Sequence, residues 1–355
     1  MPLLSFFTWL LAIHAITVSA AYGDICTQEN AIVRKEWSSL TLAERKAYID
    51  AVLCMLSLPA ITPDLPASDS LFADFAAVHI NYTTTMHFDG LFFSWHRHHL
   101  FLFETALHEQ CGYPAYLGLP YWHWPLYADR PLEESALFDG SEYSLGGNGE
   151  YLPEQGDIPT ADGGTFPHGT GGGCVFTGPF ANLNLNIMFL GFGFIPSGLP
   201  DNWTEPDPHC LDRDLNDLSL RTLLNQERID TALSQPDIEG FQNWTDSYKA
   251  VYGMHEAGHV AVGMTMHDPF GSPQDPVFYL HHTGLDYLWN KWQSGGEGRR
   301  DQWNGTDRIF NEGGVEVSAA SVMEFGFMGE PVTLDQVKNP TAGPYCYRYE
   351  EPCVE

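Results

Sequence analysis

Positive charge is what this sequence has least of: across 355 residues, 16 Lys and Arg stand against 46 Asp and Glu, a formal net charge of −30. A binder of nucleic-acid backbones needs a basic face, and so does a protein that docks on anionic membranes or grips phosphate-rich substrates. All three classes are disfavoured. Internal repeats, charge runs and low-complexity linkers are absent too, so nothing divides the chain and one domain is expected. After residue 20 no stretch reaches about 18 uninterrupted apolar residues, which leaves no candidate membrane span there. Wholesale disorder is excluded, because 44% of the residues are apolar and can form a sizeable core. Gly and Pro, 34 and 24 residues, occupy about one position in six and predict a loop-rich fold.

Charged side chains are also missing from residues 1–20, an apolar stretch ending in the small-residue pattern Val18-Ser19-Ala20. This predicts a secretory signal cut near Ala20, with residues 21–355 as the mature domain. A membrane anchor fits less well, because the span is short and nothing positive flanks it. Secretion agrees with four glycosylation sequons, at Asn81, Asn202, Asn243 and Asn304. Seven cysteines, at 26, 54, 111, 174, 210, 346 and 353, allow up to three disulfides with one thiol left over. Cys26 near one end, and Cys346 and Cys353 near the other, could tie the termini down. The pairing itself stays open.

Thr41 and Glu44 form a capping box, so a helix should run over 42–57 and stop before Pro59. Helical apolar spacing covers 69–80, and a strong helix over 94–110 should close at Gly112. Residues 140–210 are rich in Gly, Pro and Asn and read as long loops with short strands. Further helices are expected over 245–261 and from Asp275-Pro276 to Trp292.

Histidine, by contrast, is concentrated: 12 of the 15 fall in the windows 79–123 and 255–282. His255 and His259 are four apart on an expected helix, which puts both imidazoles on one face, one turn apart. His282 can add a third nitrogen from the next helix. His79, His87 and His96 repeat the arrangement on a helix end, a loop and a helix. Two such triplets suit a dinuclear site inside a helical bundle. A donor set made only of imidazole suits copper, zinc, iron or nickel, not magnesium or calcium, and copper binds most tightly among the divalent ions. Two copper ions side by side can exchange electrons with dioxygen, whereas zinc has no redox chemistry. The metal therefore decides the reaction class.

The stretch from His87, HFDGLFFSWHRHHLFLFETAL, and that from Met254, MHEAGHVAVGMTMHDPFGSPQDPVFYLHHTGLDYLW, resemble the copper A and copper B motifs of the tyrosinase and catechol oxidase family, the type-3 copper proteins. The likeness covers about residues 30–350 and is closest to the short secreted fungal members. It implies a mainly α fold: a four-helix bundle holding both coppers, wrapped in long loops with a few short strands. It also implies that His79, His87 and His96 bind one copper and His255, His259 and His282 the other, with His282 preferred over His281. Phe278 matches the aromatic that packs over the copper centre. Asp286 matches a carboxylate that orients a ligand imidazole. Tyr345-Cys346-Tyr347-Arg348 is similar to the tyrosine motif that closes the family's catalytic domain, with Arg34 packed against it.

The chain departs from the family pattern in four places. Only 73 residues follow His282, so the C-terminal lid domain of longer relatives does not fit. Thr85 stands where many fungal members carry a crosslinked Cys. The usual YWDW is Tyr121-Trp122-His123-Trp124. Glu256 follows the first copper B histidine, where a carboxylate near two metals could orient a water or take a phenolic proton. Glu256 also completes an H-E-x-x-H zinc-peptidase pattern, but Val262 and Thr265 break its metzincin extension, and a single zinc leaves the first triplet unexplained. A closer rival is a tyrosinase-like protein that holds zinc and catalyses a non-redox rearrangement, similar to fungal cyclopenases. A dioxygen carrier like hemocyanin suits a small, secreted, unlidded chain poorly. The resemblance thus implies two copper ions, with zinc as the alternative, and a small phenolic or aromatic substrate with dioxygen. The expected reaction is oxidation of o-diphenols to o-quinones, with or without prior hydroxylation of monophenols, in a role such as fungal secondary metabolism.

Overall fold

The computed structural model describes residues 26–62, 64–159, 165–193, 198–247 and 252–353. The expected signal segment lies outside the described residues. Helix α1 (Leu42–Ser57) begins on the capping box: the Thr41 hydroxyl accepts from the Glu44 amide, and the Glu44 carboxylate accepts from the Thr41 amide. Ser70 caps α2 (Leu71–Tyr82), and α3 (Phe92–Cys111) stops at Gly112, whose φ of 65° suits a residue without Cβ. The tract 140–210 is loop with short antiparallel pairs, as expected: Gly149–Tyr151 with Gly172–Val175, Ile158–Pro159 with Thr165–Phe166, and Asn184–Leu185 with His209–Cys210.

Three short helices then follow that the apolar spacing does not announce: α4 (Asp217–Leu223), α5 (Gln226–Leu233) and α6 (Ile238–Thr245). The single helix expected over 245–261 is broken. Helix α6 reaches only its first residue, Thr245, and α7 (Met254–Val262) covers its second half. Gly253 sits at the break, where a Cβ would come within 2.6 Å of the Ser247 amide nitrogen and 2.7 Å of the Thr245 carbonyl oxygen. Such a close approach needs glycine and is incompatible with one continuous helix. Helix α8 (Val277–Ser294) opens at Pro276, with the Asp275 carboxylate accepting from the Val277 amide. Asp275 is fixed in turn by a fully buried, two-pronged pair with Arg213, at 2.7 and 2.8 Å. Losing one partner of such a pair costs about 3–5 kcal/mol.

Helix α3 packs on α1 and α8, α2 on α1, and α7 on α4 and α8. Phe103 of α3 and Tyr279 of α8 stack with centroids 3.5 Å apart, and Trp95, Trp122, Trp124 and Trp292 fill the same core. Disulfides join Cys26 to Cys346, Cys54 to Cys111 and Cys174 to Cys210, leaving Cys353 free and exposed. The strand Ile32–Arg34 pairs in parallel with Tyr347–Tyr349, so both ends of the described chain meet on the bundle. No described helix is long and apolar enough to cross a membrane.

Candidate metal centre

The bundle brings the six expected histidines together. His79 comes from α2, His87 from the loop after it and His96 from α3; His255 and His259 come from α7 and His282 from α8. All are buried. Five are locked through Nδ1. Those of His79, His87 and His96 lie 2.7, 3.0 and 2.8 Å from the carbonyl oxygens of Phe270, Thr83 and Phe92. Nδ1 of His255 is 2.9 Å from the Asp246 carboxylate, and Nδ1 of His259 is 2.5 Å from the Met266 carbonyl. Each Nδ1–H donates, so each Nε2 carries a lone pair. Nε2 of His79 and of His96 is buried without a hydrogen-bond partner.

The second triplet makes the case for a cation. Nε2 of His259 lies 3.0 Å from that of His255 and 3.3 Å from that of His282. Facing lone pairs at that distance repel unless a positive charge sits among them. Metal–imidazole bonds of about 2.0 Å at tetrahedral angles separate the donor nitrogens by about 3.3 Å, so the residues fit a metal ion. Burial, reinforced by neighbouring imidazoles, keeps His79, His96, His255 and His282 far below the ordinary histidine pKa. Burial takes His87 to about 3 and His259 to about 4. All six are therefore neutral and ready to ligate at physiological pH. The triplets face each other: the rings of His96 and His282 stack at 4.3 Å, and those of His87 and His255 at 5.6 Å.

His281 also lies within reach of the second cluster, but its Nε2 is 3.0 Å from the His255 carbonyl, and its ring rests on Gly258. Phe278 sits where expected, with its ring 4.1 Å from that of His282 and 5.2 Å from that of His79. Thr85 is exposed and donates to the Tyr82 carbonyl. Among the sequons, Asn81, Asn202 and Asn243 are exposed, whereas the Asn304 amide is half-buried and donates to Gln242 at 3.0 Å.

Asp286 does not orient a ligand imidazole. Its carboxylate accepts from Arg97 at 2.6 Å, Arg34 at 3.3 Å, and the hydroxyls of Tyr347 at 2.6 Å and Tyr349 at 2.5 Å. Burial pushes its pKa up, but the Arg97 and Arg34 charges and the two hydroxyls outweigh this and hold it below the usual carboxylate range. Arg34 stacks on Tyr347, 3.6 Å from its centroid, and pairs with Glu104 at 2.6 Å. This buried knot ties the terminal strands to α3 and α8. The imidazole-orienting carboxylate is Asp246, at the end of α6, which the sequence reading placed inside a helix. Its oxygens accept from His255 and from the Phe88 amide. Burial and nearby Asp89 push Asp246 well up, and a cation on the far side of His255 is what favours its ionised form.

Glu256 is partly exposed and bonds His267 rather than an imidazole of either triplet. Its Oε1 accepts from His267 Nε2 at 3.0 Å, and its side chain is 20% exposed. Burial pushes it up, but the hydrogen bond and charge of His267 outweigh that and leave it below the usual carboxylate range.

Two facing triplets of neutral imidazoles inside a helical bundle offer sites for two metal ions. The chain belongs to the tyrosinase family, the type-3 copper proteins: the common central domain of tyrosinase matches residues 69–295. It is 42% identical over 330 residues to tyrosinase P of Aspergillus terreus, covering 89% of this chain and 91% of that one. It is 39% identical over 362 residues to N-acetyl-6-hydroxytryptophan oxidase ivoB of Emericella nidulans, covering 96% and 98%. A polyphenol oxidase variant from Thermothelomyces thermophila has the same fold, with a TM-score of 0.85 and 34% identity over 92% of this chain and 91% of that one.

Proposed function

We propose that this chain is a secreted dinuclear copper oxidase that converts o-diphenols to o-quinones with dioxygen, with or without prior hydroxylation of monophenols. In this reading residues 1–20 are removed as a signal, and residues 21–355 form a single catalytic domain. The observation that carries the reading is the pair of facing triplets, with five imidazoles locked at Nδ1 and the Nε2 lone pairs turned inward. His79, His87 and His96 would hold one copper ion and His255, His259 and His282 the other. Copper bound there supplies the electron exchange with dioxygen. Two o-diphenols and one dioxygen give two o-quinones and two waters, so each diphenol must lose two electrons and two protons.

The remaining roles fall to the protein. Phe278, between the triplets, fixes the ligand rings and keeps the floor of the site dry. Glu256 flanks the ligands, since one helical step turns about 100° and puts it about 60° from the direction of His259. Held ionised by His267, it accepts a hydrogen bond from a water that carries the phenolic proton away. The relatives named an oxidase and a tyrosinase support the oxidative reading. Metal analysis of the purified protein, with oxygen uptake on 4-methylcatechol, tests it. Two copper ions per chain and oxygen consumption are expected. Zinc with no oxygen uptake overturns it in favour of a non-redox rearrangement, which the same imidazoles would serve.

A further inference from the structure

Among the described residues, the second oxygen of Glu256, Oε2, takes no hydrogen bond, and no Lys or Arg pairs with this carboxylate. A partly exposed carboxylate beside a reaction centre, bonded through one oxygen to His267, has its other oxygen open to a positive partner.

The neighbouring residues are suited to one. His267, buried, lies under the ring of Phe192, with centroids 5.3 Å apart and planes at 30°. Phe192 is 43% exposed, and Phe189 meets it edge-on at 5.0 Å. Phe192 is exposed, but the loop leading into it is anchored on its N-terminal side. The Leu190 amide donates to Asp268 at 2.7 Å, and Gln274 donates to the Ile187 carbonyl at 3.0 Å. A fixed aromatic face next to an ionised carboxylate is the arrangement that binds an alkylammonium group, through an ion pair with one and a cation–π contact with the other.

We propose that Glu256, His267 and Phe192 form an outer subsite that selects phenols bearing a protonated amine on their side chain over phenols bearing a carboxylate. The inference rests on the phenol-oxidase reading for its substrate but not for its binding chemistry. An arylalkylammonium sets its charge against Glu256 with its chain along Phe192, whereas an arylalkanoate meets a like charge. Like-charge repulsion against ion-pair attraction gives about a 10- to 100-fold difference in kcat/KM. The difference shrinks as salt rises, because Glu256 is partly exposed.

Oxygen uptake by the copper-loaded enzyme is measured on dopamine, 3,4-dihydroxyphenylpropionate and 4-methylcatechol at pH 6.5. Dopamine should lead the propionate by at least ten-fold. Glu256→Gln, whatever it does to absolute rates, should bring that ratio near one, and Phe192→Leu should lower it part of the way. An unchanged ratio in Glu256→Gln, or a wild-type preference for the propionate, overturns the proposal. Calorimetry with phenethylamine and 3-phenylpropionate, neither of which is a phenol, reads the subsite without turnover. If 4-methylcatechol is not oxidised but phenethylamine binds and Glu256→Gln abolishes the binding, the oxidase reading fails and the subsite stands. If 4-methylcatechol is oxidised and phenethylamine binds no better than 3-phenylpropionate, the subsite fails and the oxidase reading stands.

Discussion

Replacing Gly258 by alanine sets two effects of opposite sign against each other. Gly258 lies within α7, between the ligands His255 and His259, and in an open helix Gly→Ala gains roughly 1 kcal/mol. Here the added Cβ would come within 2.0 Å of Cε1 and 2.4 Å of Nδ1 of the His281 ring. The ring must retreat by roughly 1.4 Å to reach ordinary 3.4 Å contact. It has little room, because His281 is fully buried and bonded to the His255 carbonyl, with Trp124 at 5.5 Å. Overpacking of this kind costs about 1–3 kcal/mol, which meets or exceeds the propensity gain. The larger effect falls on the site. His282 follows His281 directly, and its Nε2 must stay near the 3.3 Å separation from that of His259, so a shift above 1 Å breaks the second triplet. Gly258→Ala should therefore lose one metal ion per chain and gain no thermal stability, while the first triplet keeps its ion. Metal content by plasma mass spectrometry and melting of the metal-free protein read the two effects separately. Adding His281→Ala to the same chain should restore the second ion by clearing the ring. A Gly258→Ala protein that holds two ions and melts higher than wild type would refute the reasoning.

Asp246→Asn should weaken metal binding at the second triplet about 10- to 100-fold and spare the first. Both Asp246 oxygens accept, from His255 and from the Phe88 amide, so an amide NH2 must oppose one donor; competitive chelator titration reads the change. Asp286 is held below the usual carboxylate range, so its stabilisation is full above its unfolded pKa of about 4 and is lost as pH falls through the folded value. Asp286→Asn should cost about 3–5 kcal/mol at pH 7 and flatten the acid limb, as checked by denaturant melts at pH 7, 4 and 3. Glycopeptide mass spectrometry should find Asn304 less occupied than exposed Asn81, Asn202 and Asn243, because its amide is engaged by Gln242; full occupancy at all four sequons would contradict this.

The histidines were legible in the sequence because ligation by helices imposes short-range spacing: four residues between His255 and His259 mean one turn of α7. Helices α1, α2, α3 and α8 carry long apolar patterns and strong caps, and they fell within a few residues of expectation. Helices α4 to α6 have seven or eight residues each and are held by side-chain caps from Asn216, Asn225 and Asp237. Their apolar runs are too short to register as helical spacing. Asp246 was hidden because its role depends on the break between α6 and α7, which apolar spacing does not report. Asp286 misled for the opposite reason. Four residues after His282, it seemed bound to a ligand, yet Arg34 and Arg97 lie 252 and 189 residues away in sequence, and local pattern does not reveal such partners.

The pairing of Ile32–Arg34 with Tyr347–Tyr349 bears on how the molecule is made. Arg34 is among the first described residues to leave the ribosome, yet its buried partners, Glu104, Asp286, Tyr347 and Tyr349, arrive over almost the whole of translation. Until residue 349 is delivered, an early guanidinium and a central carboxylate lack their mates, and α3 and α8 are not clamped. The facing triplets, which span those same helices, cannot hold their final separation before then. Assembly is therefore a late, whole-chain event: the nascent polypeptide passes through synthesis with an incomplete cage, and capture of both ions waits for the last strand to dock.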